Sequence, residues 1–259
     1  MIDIHCHILP GIDDGSQSLN QSLAMAMCAV KDGIHSIVAT PHTLNGVYTN
    51  PAEEVATHVA NLQEAFTKNN IQLQLYPGAD VHLCPNMLER INSGEACTIN
   101  NSGKYLLLEL PSQTIPEGVI DEIFALKLNG ITPIITHPER NTIIQQHPDI
   151  LYELISRGAL VQITAMSLTG GFGEFIKDST EMMMKNRLVH LIASDAHSHD
   201  NRPPVLSHAV EIAAKILGSS EEAKYMVSNT PAAILSGNIV EIPEPVHYNS
   251  KPKFFAKSF

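Results

Sequence analysis

The four cysteines of this chain, Cys6, Cys28, Cys84 and Cys97, are scattered and form no C-x-x-C pair. That spacing argues against a zinc–thiolate site and against a disulfide framework, and a reducing cytoplasm is the expected compartment. Long apolar runs are also missing: none approaches the roughly 20 residues that cross a bilayer. The first residues show no basic segment followed by an apolar stretch, so no secretion signal is expected. Basic residues are few, 16 Lys plus Arg against 27 Asp plus Glu, for a formal net charge of −11 with His neutral. Nucleic-acid backbones demand a basic face, so a general nucleic-acid binder is not expected. An acidic cluster neutralised by bound cations remains compatible with this charge.

Histidine, by contrast, is abundant, 13 residues beside those 16 basic ones, which asks for a reason such as metal binding. The apolar share of 44% and charged share of 17% are those of an ordinary globular protein. A length of 259 residues suits one large α/β barrel or two smaller domains.

Apolar runs with strand character fall at residues 2–7, 35–40, 71–76, 105–110, 131–136, 160–164 and 188–193, with helical segments between them. The first helix, over residues 18–32, carries Leu23, Met27 and Val30 on one face at helical spacing. Asn50, Pro51 and Glu53 read as a cap, a first-turn proline and an acidic third position opening the next helix. Alternating strands and helices imply a parallel sheet. The Tyr105–Leu110 run, nearly all apolar, suits a strand covered on both faces.

Where the polar residues fall favours a closed sheet over an open one. His5, His7, His42, Asp80, Glu109, His137, Asp195 and His197 each stand at or just past the C-terminal end of an expected strand. In a barrel those ends gather on one rim, where barrel enzymes place their chemistry. Within residues 2–7 strict alternation puts Ile2, Ile4 and Cys6 on one face and Asp3, His5 and His7 on the other. Adding Asp14 from the following loop, the rim offers five histidines and four carboxylates. A sulfur-free N/O set of this size suits two or three divalent ions of the Mn²⁺, Fe²⁺ or Zn²⁺ type. Any one of these residues alone reads better as a cap or a core residue; their recurrence at equivalent positions of successive units does not. A cysteine-based phosphatase needs His-Cys followed after five residues by Arg, and that position is Ile12. Cys6 is read as a small buried apolar residue.

The segments MIDIHCHILP, DDG, ATPH, LELP, HPERN and ASDAH together resemble the PHP superfamily of metal-dependent phosphoesterases. Within it they resemble the bacterial protein-tyrosine phosphatases of capsule and exopolysaccharide operons, over residues 1–217. The ITAMSLTGGFG stretch and the segment from Asp195 to Arg202 share that likeness. The resemblance implies a distorted (β/α)7 TIM-like barrel, the PHP fold, taken as residues 1–237; the proline-bearing stretch from Asn238 reads by its composition as a partly extended or disordered tail at 238–259. The resemblance also implies up to three divalent ions, usually Mn²⁺. On that pattern His5, His7, Asp80 and Asp195 hold one ion, Asp80, Glu109 and His137 a second, and Asp14, His42 and His197 the third. Arg140 and Arg202 fall where the family binds phosphate. One position departs: the family has Glu where this chain has Asp80, a shorter arm that must still bridge two ions, with His82 nearby as a further donor.

The implied substrate is phosphotyrosine on the C-terminal tyrosine cluster of a bacterial tyrosine kinase. Electrostatics agrees with a phosphate ligand: three divalent ions outweigh four carboxylates and leave roughly +2 before the arginines. A small-molecule phosphomonoesterase of the histidinol-phosphatase type is the second expectation, and a non-catalytic metal-binding module the third. Lys251, Lys253 and Lys257 interleave with Phe254, Phe255 and Phe259 near the end, and read as a solvated end or a docking peptide.

Overall fold

The computed structural model describes residues 1–247. Strands and helices alternate as β1 Ile2–Cys6, α1 Leu19–Lys31, β2 Ser36–Ala39, β3 His42–Thr43, α2 Ala52–Lys68, β4 Gln74–Pro77, β5 Asp80–His82, α3 Met87–Asn92, β6 Tyr105–Glu109 and α4 Val119–Leu128. They continue as β7 Thr132–Thr136, α5 Thr142–Gln146, α6 Asp149–Ser156, β8 Leu160–Thr164, α7 Ala165–Thr169, α8 Glu174–Lys185, β9 Leu191–Ala193, α9 Ser207–Leu217, α10 Ser220–Tyr225 and α11 Asn229–Leu235.

Every strand pairing is parallel, in the order β1-β2-β4 and β3-β5-β6-β7-β8-β9. The two sets are one wall. β2 breaks at Thr40 and Pro41 and resumes as β3; β4 breaks at Gly78 and Ala79 and resumes as β5. Pro41 has no N–H to give to a ladder, which accounts for the first break. Counting each broken strand once leaves the seven strands expected. The wall closes where Asp195 N donates to His5 O at 2.8 Å and His7 N to Ala196 O at 2.9 Å. The fold is thus a distorted seven-stranded barrel.

The strands sort their apolar side chains into two layers. Val38, Leu107, Ile134, Leu191 and Ala193 fill the barrel interior, closed from below by Ile234 and Leu235 of α11, a helix that the sequence reading did not include. Leu106, Leu108, Ile135, Val161 and Ile192 point outward against Met25, Phe66 and Ile123 of the surrounding helices. A Leu buried this completely contributes roughly 1.5–3 kcal/mol. With apolar residues packed below, the polar residues at the upper strand ends are confined to one mouth.

Three local expectations change. Ile2 and Ile4 belong to the inner layer but Cys6 to the outer one, because a bulge between Asp3 and Cys6 inserts a residue against β2 and reverses the alternation. That reversal turns His5 and His7 to the mouth while Ile4 stays inside. In α1 the Leu23, Met27 and Val30 line is not the packed face: Met27 is 57% exposed, and the helix seats on Ser22, Met25, Ala26 and Ala29, whose mostly small side chains allow close approach. Asn50 caps no helix; its amide donates to His42 O at 2.7 Å and Ile12 O at 3.3 Å, and α2 opens at Pro51 without a side-chain cap.

Residues 238–247 continue without helix or strand. Tyr105 donates its hydroxyl to Asn238 O at 2.6 Å, and the His247 ring stacks on Tyr152 at 3.6 Å. The Lys251–Phe259 motif lies outside the described residues.

Candidate metal centre

His5 lies in β1 and His7 just past its end, Asp14 lies in the loop after it, and His42 and Asp80 open the resumed strands β3 and β5, directly paired in register. Glu109 ends β6, His137 follows β7, and Asp195 and His197 follow β9. His137 and Asp195 sit in the left-handed region, with φ of 35° and 50°. Non-glycine residues tolerate that region only when the surroundings hold them there, a pattern frequent at functional sites. The Asp14 loop passes tightly over His7: Ser16 N donates to His7 O at 3.0 Å, and a Cβ on Gly15 would stand 2.2 Å from that oxygen. Only glycine fits there.

The nine donors named from the sequence converge. His5 Nε2 lies 3.6 Å from Asp80 Oδ2 and 3.6 Å from Asp195 Oδ1, and His7 Nε2 is 3.4 Å from the same Asp195 oxygen. His137 Nε2 lies 3.8 Å from Asp80 Oδ2 and 3.7 Å from Glu109 Oε1. Asp14 Oδ1 lies 3.6 Å from His42 Nε2 and 3.5 Å from His197 Nε2. His42 stands between the groups, its Nδ1 3.4 Å from Asp80 Oδ2 and 3.6 Å from Glu109 Oε2. His82 meets Glu109 Oε2 at 3.2 Å.

The set fits divalent cations on three observations. First, three clusters (His7/Asp14/His42/His197, His5/His7/Asp80 and His42/Asp80/Glu109) each bring one donor atom per residue within 4.8 Å of one another. Second, Asp80 Oδ2 and His42 Nδ1 are buried with no hydrogen-bond partner. Buried polar atoms are costly when unpaired, and a cation between them removes that cost. Third, the outer ring nitrogens are already committed: His5 Nδ1 donates to Gln162 Oε1 at 2.8 Å, His7 Nδ1 to Asp13 Oδ2 at 2.7 Å and His197 Nδ1 to Asp195 O at 3.0 Å. Each Nε2 is thereby turned inward, as supporting hydrogen bonds do for metal-ligating histidines.

The protonation balance is uneven. Burial pushes His5 down to about 4 despite Asp80 and Asp195, so it is a neutral donor. Burial also opposes a charge on His7, but the Asp13 carboxylate more than offsets it and carries His7 up to about 10. Burial would raise Asp80 and Asp195, yet the charge His5 takes on when it protonates at low pH, joined by His137 and His42 for Asp80 and by Arg140 for Asp195, holds them well below the usual carboxylate range.

Arg140 and Arg202 reach the same mouth. Arg140 Nη1 and Arg202 Nη2 donate to Asp195 Oδ2 at 2.9 and 2.6 Å, so Asp195 shows one oxygen to the histidines and the other to the arginines. A cleft of about 240 Å³ lined by Glu109, Ser112, Thr136, His137, Arg140 and Asn141 opens beside them.

Asp13, Gln162 and Thr136 escaped the sequence reading. Asp13 is the buried member of the Asp13–Asp14 pair, and nothing local tells which faces His7. Gln162 left a legible signal, a polar residue in the middle of an otherwise apolar strand. Thr136 donates to Asp80 Oδ1 at 3.1 Å and looked like an ordinary strand residue.

The family model described as capsular polysaccharide synthesis, CpsB/CapC, matches residues 1–236. The chain is 35% identical over 257 residues to the tyrosine-protein phosphatase YwqE of Bacillus subtilis, covering 98% of this chain and 100% of that one. It is 42% identical over 206 residues to the putative tyrosine-protein phosphatase CapC of Staphylococcus aureus, covering 80% of each. It is 31% identical over 245 residues to the tyrosine-protein phosphatase CpsB of Streptococcus pneumoniae, covering 93% of this chain and 100% of that one. A chain from the crystal structures of YwqE of Bacillus subtilis and CpsB of Streptococcus pneumoniae, described as metal-dependent tyrosine phosphatases, superposes with a TM-score of 0.92 at 34% identity, covering 96% of this chain and 100% of that one. A histidinol phosphate phosphatase from Lactococcus lactis shares the fold, with a TM-score of 0.55 at 13% identity, covering 85% of this chain and 93% of that one.

Proposed function

The chain belongs to the CpsB/CapC family of metal-dependent tyrosine phosphatases, and on that premise we propose that its rim cluster holds up to three divalent ions, manganese foremost, and cleaves phosphotyrosine esters. His5, His7, Asp80 and Asp195 hold one ion, Asp80, Glu109 and His137 a second, and Asp14, His42 and His197 a third. The observation that carries this reading is the convergence of those nine side chains at one mouth, with the buried, unpartnered Asp80 Oδ2 among them. That oxygen faces His5, His42 and His137 at 3.4–3.8 Å, which supports a bridging role despite the shorter arm of Asp.

When bound, such ions turn an acidic mouth into an anion receptor and acidify water towards neutrality. The protein's own residues do the rest. Arg140 and Arg202 offer forked donors to the phosphate oxygens and stabilise the charge that builds up as the ester breaks. Asp195 aims both of them. Asp13 and Gln162 keep the His7 and His5 rings turned inward. The leaving tyrosine oxygen, with a pKa near 10, departs with less protonation than an alkoxide needs.

The substrate is a phosphotyrosine protein, the tyrosine cluster of a bacterial kinase that governs capsule or exopolysaccharide synthesis, met in the cytoplasm. Among the described residues no helix is long and apolar enough to cross a membrane. Residues 1–237 form the phosphatase domain.

Recombinant protein supplied with Mn²⁺ hydrolyses phosphotyrosine peptides and loses this with chelator or on His7→Ala. Resistance to both refutes the reading. Efficiency far higher on small phosphomonoesters than on phosphopeptides moves the chain to the small-molecule class. Metal content without hydrolysis of any phosphomonoester leaves a binding module.

A further inference from the structure

Resting on the phosphatase reading above, we propose that Phe172 is a positioning residue that holds Arg140 and Arg202 together as one phosphate clamp. The Phe172 ring lies 5.4 Å from Arg140 Cζ and 5.6 Å from Arg202 Cζ. Both guanidinium groups also share a single carboxylate oxygen, Asp195 Oδ2. Two like charges drawn to one oxygen repel each other and need a second support. A further carboxylate would supply it but would cancel the positive field that phosphate requires. An aromatic face attracts both cations through its quadrupole and adds no net charge, and planar guanidinium groups stack on it well.

The chain delivers this ring by a built turn. Gly170 and Gly173 adopt φ of +86° and +95°, conformations that side-chain-bearing residues rarely reach. Gly171 N donates to Met166 O at 2.8 Å and Gly173 N to Gly170 O at 3.0 Å, so the segment folds back after α7 and places Phe172 at the mouth. The start of α7 is tied to the other arginine-bearing segment. Glu139, fully buried and adjacent to Arg140, accepts from Thr164 N at 2.9 Å and from Ser167 Oγ at 2.6 Å. Arg140 and Phe172 are therefore two ends of one bracket, and Arg202 is gathered into it through the ring.

The test uses Mn²⁺-loaded full-length protein and reads three quantities: inorganic phosphate affinity by calorimetry, metal content, and kcat/KM on a phosphotyrosine peptide. Phe172→Leu retains volume but not the ring. It is expected to keep wild-type metal content and melting temperature, to weaken phosphate binding roughly tenfold, and to lower kcat/KM similarly. Phe172→Tyr restores most of both. In an Arg140→Ala/Arg202→Ala background Phe172→Leu adds nothing further, because the ring acts only through the arginines.

A change in phosphate affinity below twofold overturns the proposal. So does an equal loss in Phe172→Tyr, an undiminished loss in the arginine-free background, or loss of metal or fold in Phe172→Leu. A wild type that binds phosphate yet leaves phosphotyrosine peptides intact sinks the substrate assignment, and the phosphate affinities then decide the role of Phe172 alone. A wild type that binds no phosphate overturns both.

Discussion

Replacing Asp13 by Asn leaves every proposed metal ligand in place and removes only the charge behind one of them. Asp13 is buried; its Oδ2 accepts from His7 Nδ1 at 2.7 Å and His42 N at 3.2 Å, and its Oδ1 from Gly15 N at 2.9 Å. The carboxylate makes His7 more basic and fixes the tautomer that turns Nε2 inward. Loss of such a supporting partner weakens metal affinity about 10–100-fold, or roughly 1.4–2.7 kcal/mol. Asn can still accept a hydrogen bond, so the smaller figure is expected. That figure refers to the site with His7 deprotonated, and chelator-stripped protein titrated calorimetrically with Mn²⁺ over a range of pH separates it from proton competition at His7.

The pH dependence supplies a second signature. In the metal-free protein His7 holds its proton up to about 10, above the ordinary 6.5 or so. The stability from the His7–Asp13 pair is thus fully present below the ordinary value and lost as pH rises through about 10. An entering ion displaces that proton, so wild-type affinity climbs about tenfold per pH unit below the raised value. In Asp13→Asn the climb stops at lower pH. An Asn variant with wild-type affinity and wild-type slope would show that Asp13 does not act through His7.

Asp80→Asn should remove the shared charge at the centre of the cluster, lowering bound metal by at least one ion per chain in elemental analysis; unchanged stoichiometry refutes a bridging role. His190 is buried, accepts from Val161 N at 2.9 Å, and is pushed down to about 4 by burial. Between that value and the ordinary 6.5 the unfolded chain binds the extra proton, so stability present above pH 6.5 falls as pH drops towards 4, by up to about 3 kcal/mol. Urea melts at pH 7 and 4.5 should lose this component of their difference in His190→Asn; an identical difference in variant and wild type refutes it. Leu107→Ala, fully buried in the inner layer, should cost about 2–5 kcal/mol in the same melts, and a cost below 1 would mean that the interior collapses around the gap.

The order of elements and the rim were legible in the chain because both are local properties. The apolar strand runs, the helical periods and a polar residue at each strand end are encoded within a few residues. Parallel connection then carries all those ends to one side. The gathering of His5, His7, Asp14, His42, Asp80, Glu109, His137, Asp195 and His197 at one end of the barrel follows from that topology, and the β1 bulge then turns His5 and His7 into the mouth.

Side-chain phase and approach, by contrast, are settled only once the barrel is assembled. The bulge in β1 sets which of Ile4, His5 and Cys6 point inward, since register depends on the partner strand. The seating of α1 on Ala26 and Ala29 depends on how near the barrel comes. The division of labour between Asp13 and Asp14 depends on which carboxylate the turning loop buries against His7. Phe172 reaches two arginines from distant parts of the chain because Gly170 and Gly173 let the backbone turn there. Sequence spacing specifies periodicity along one element; contacts between elements depend on angles and distances that accumulate only when the whole wall has closed.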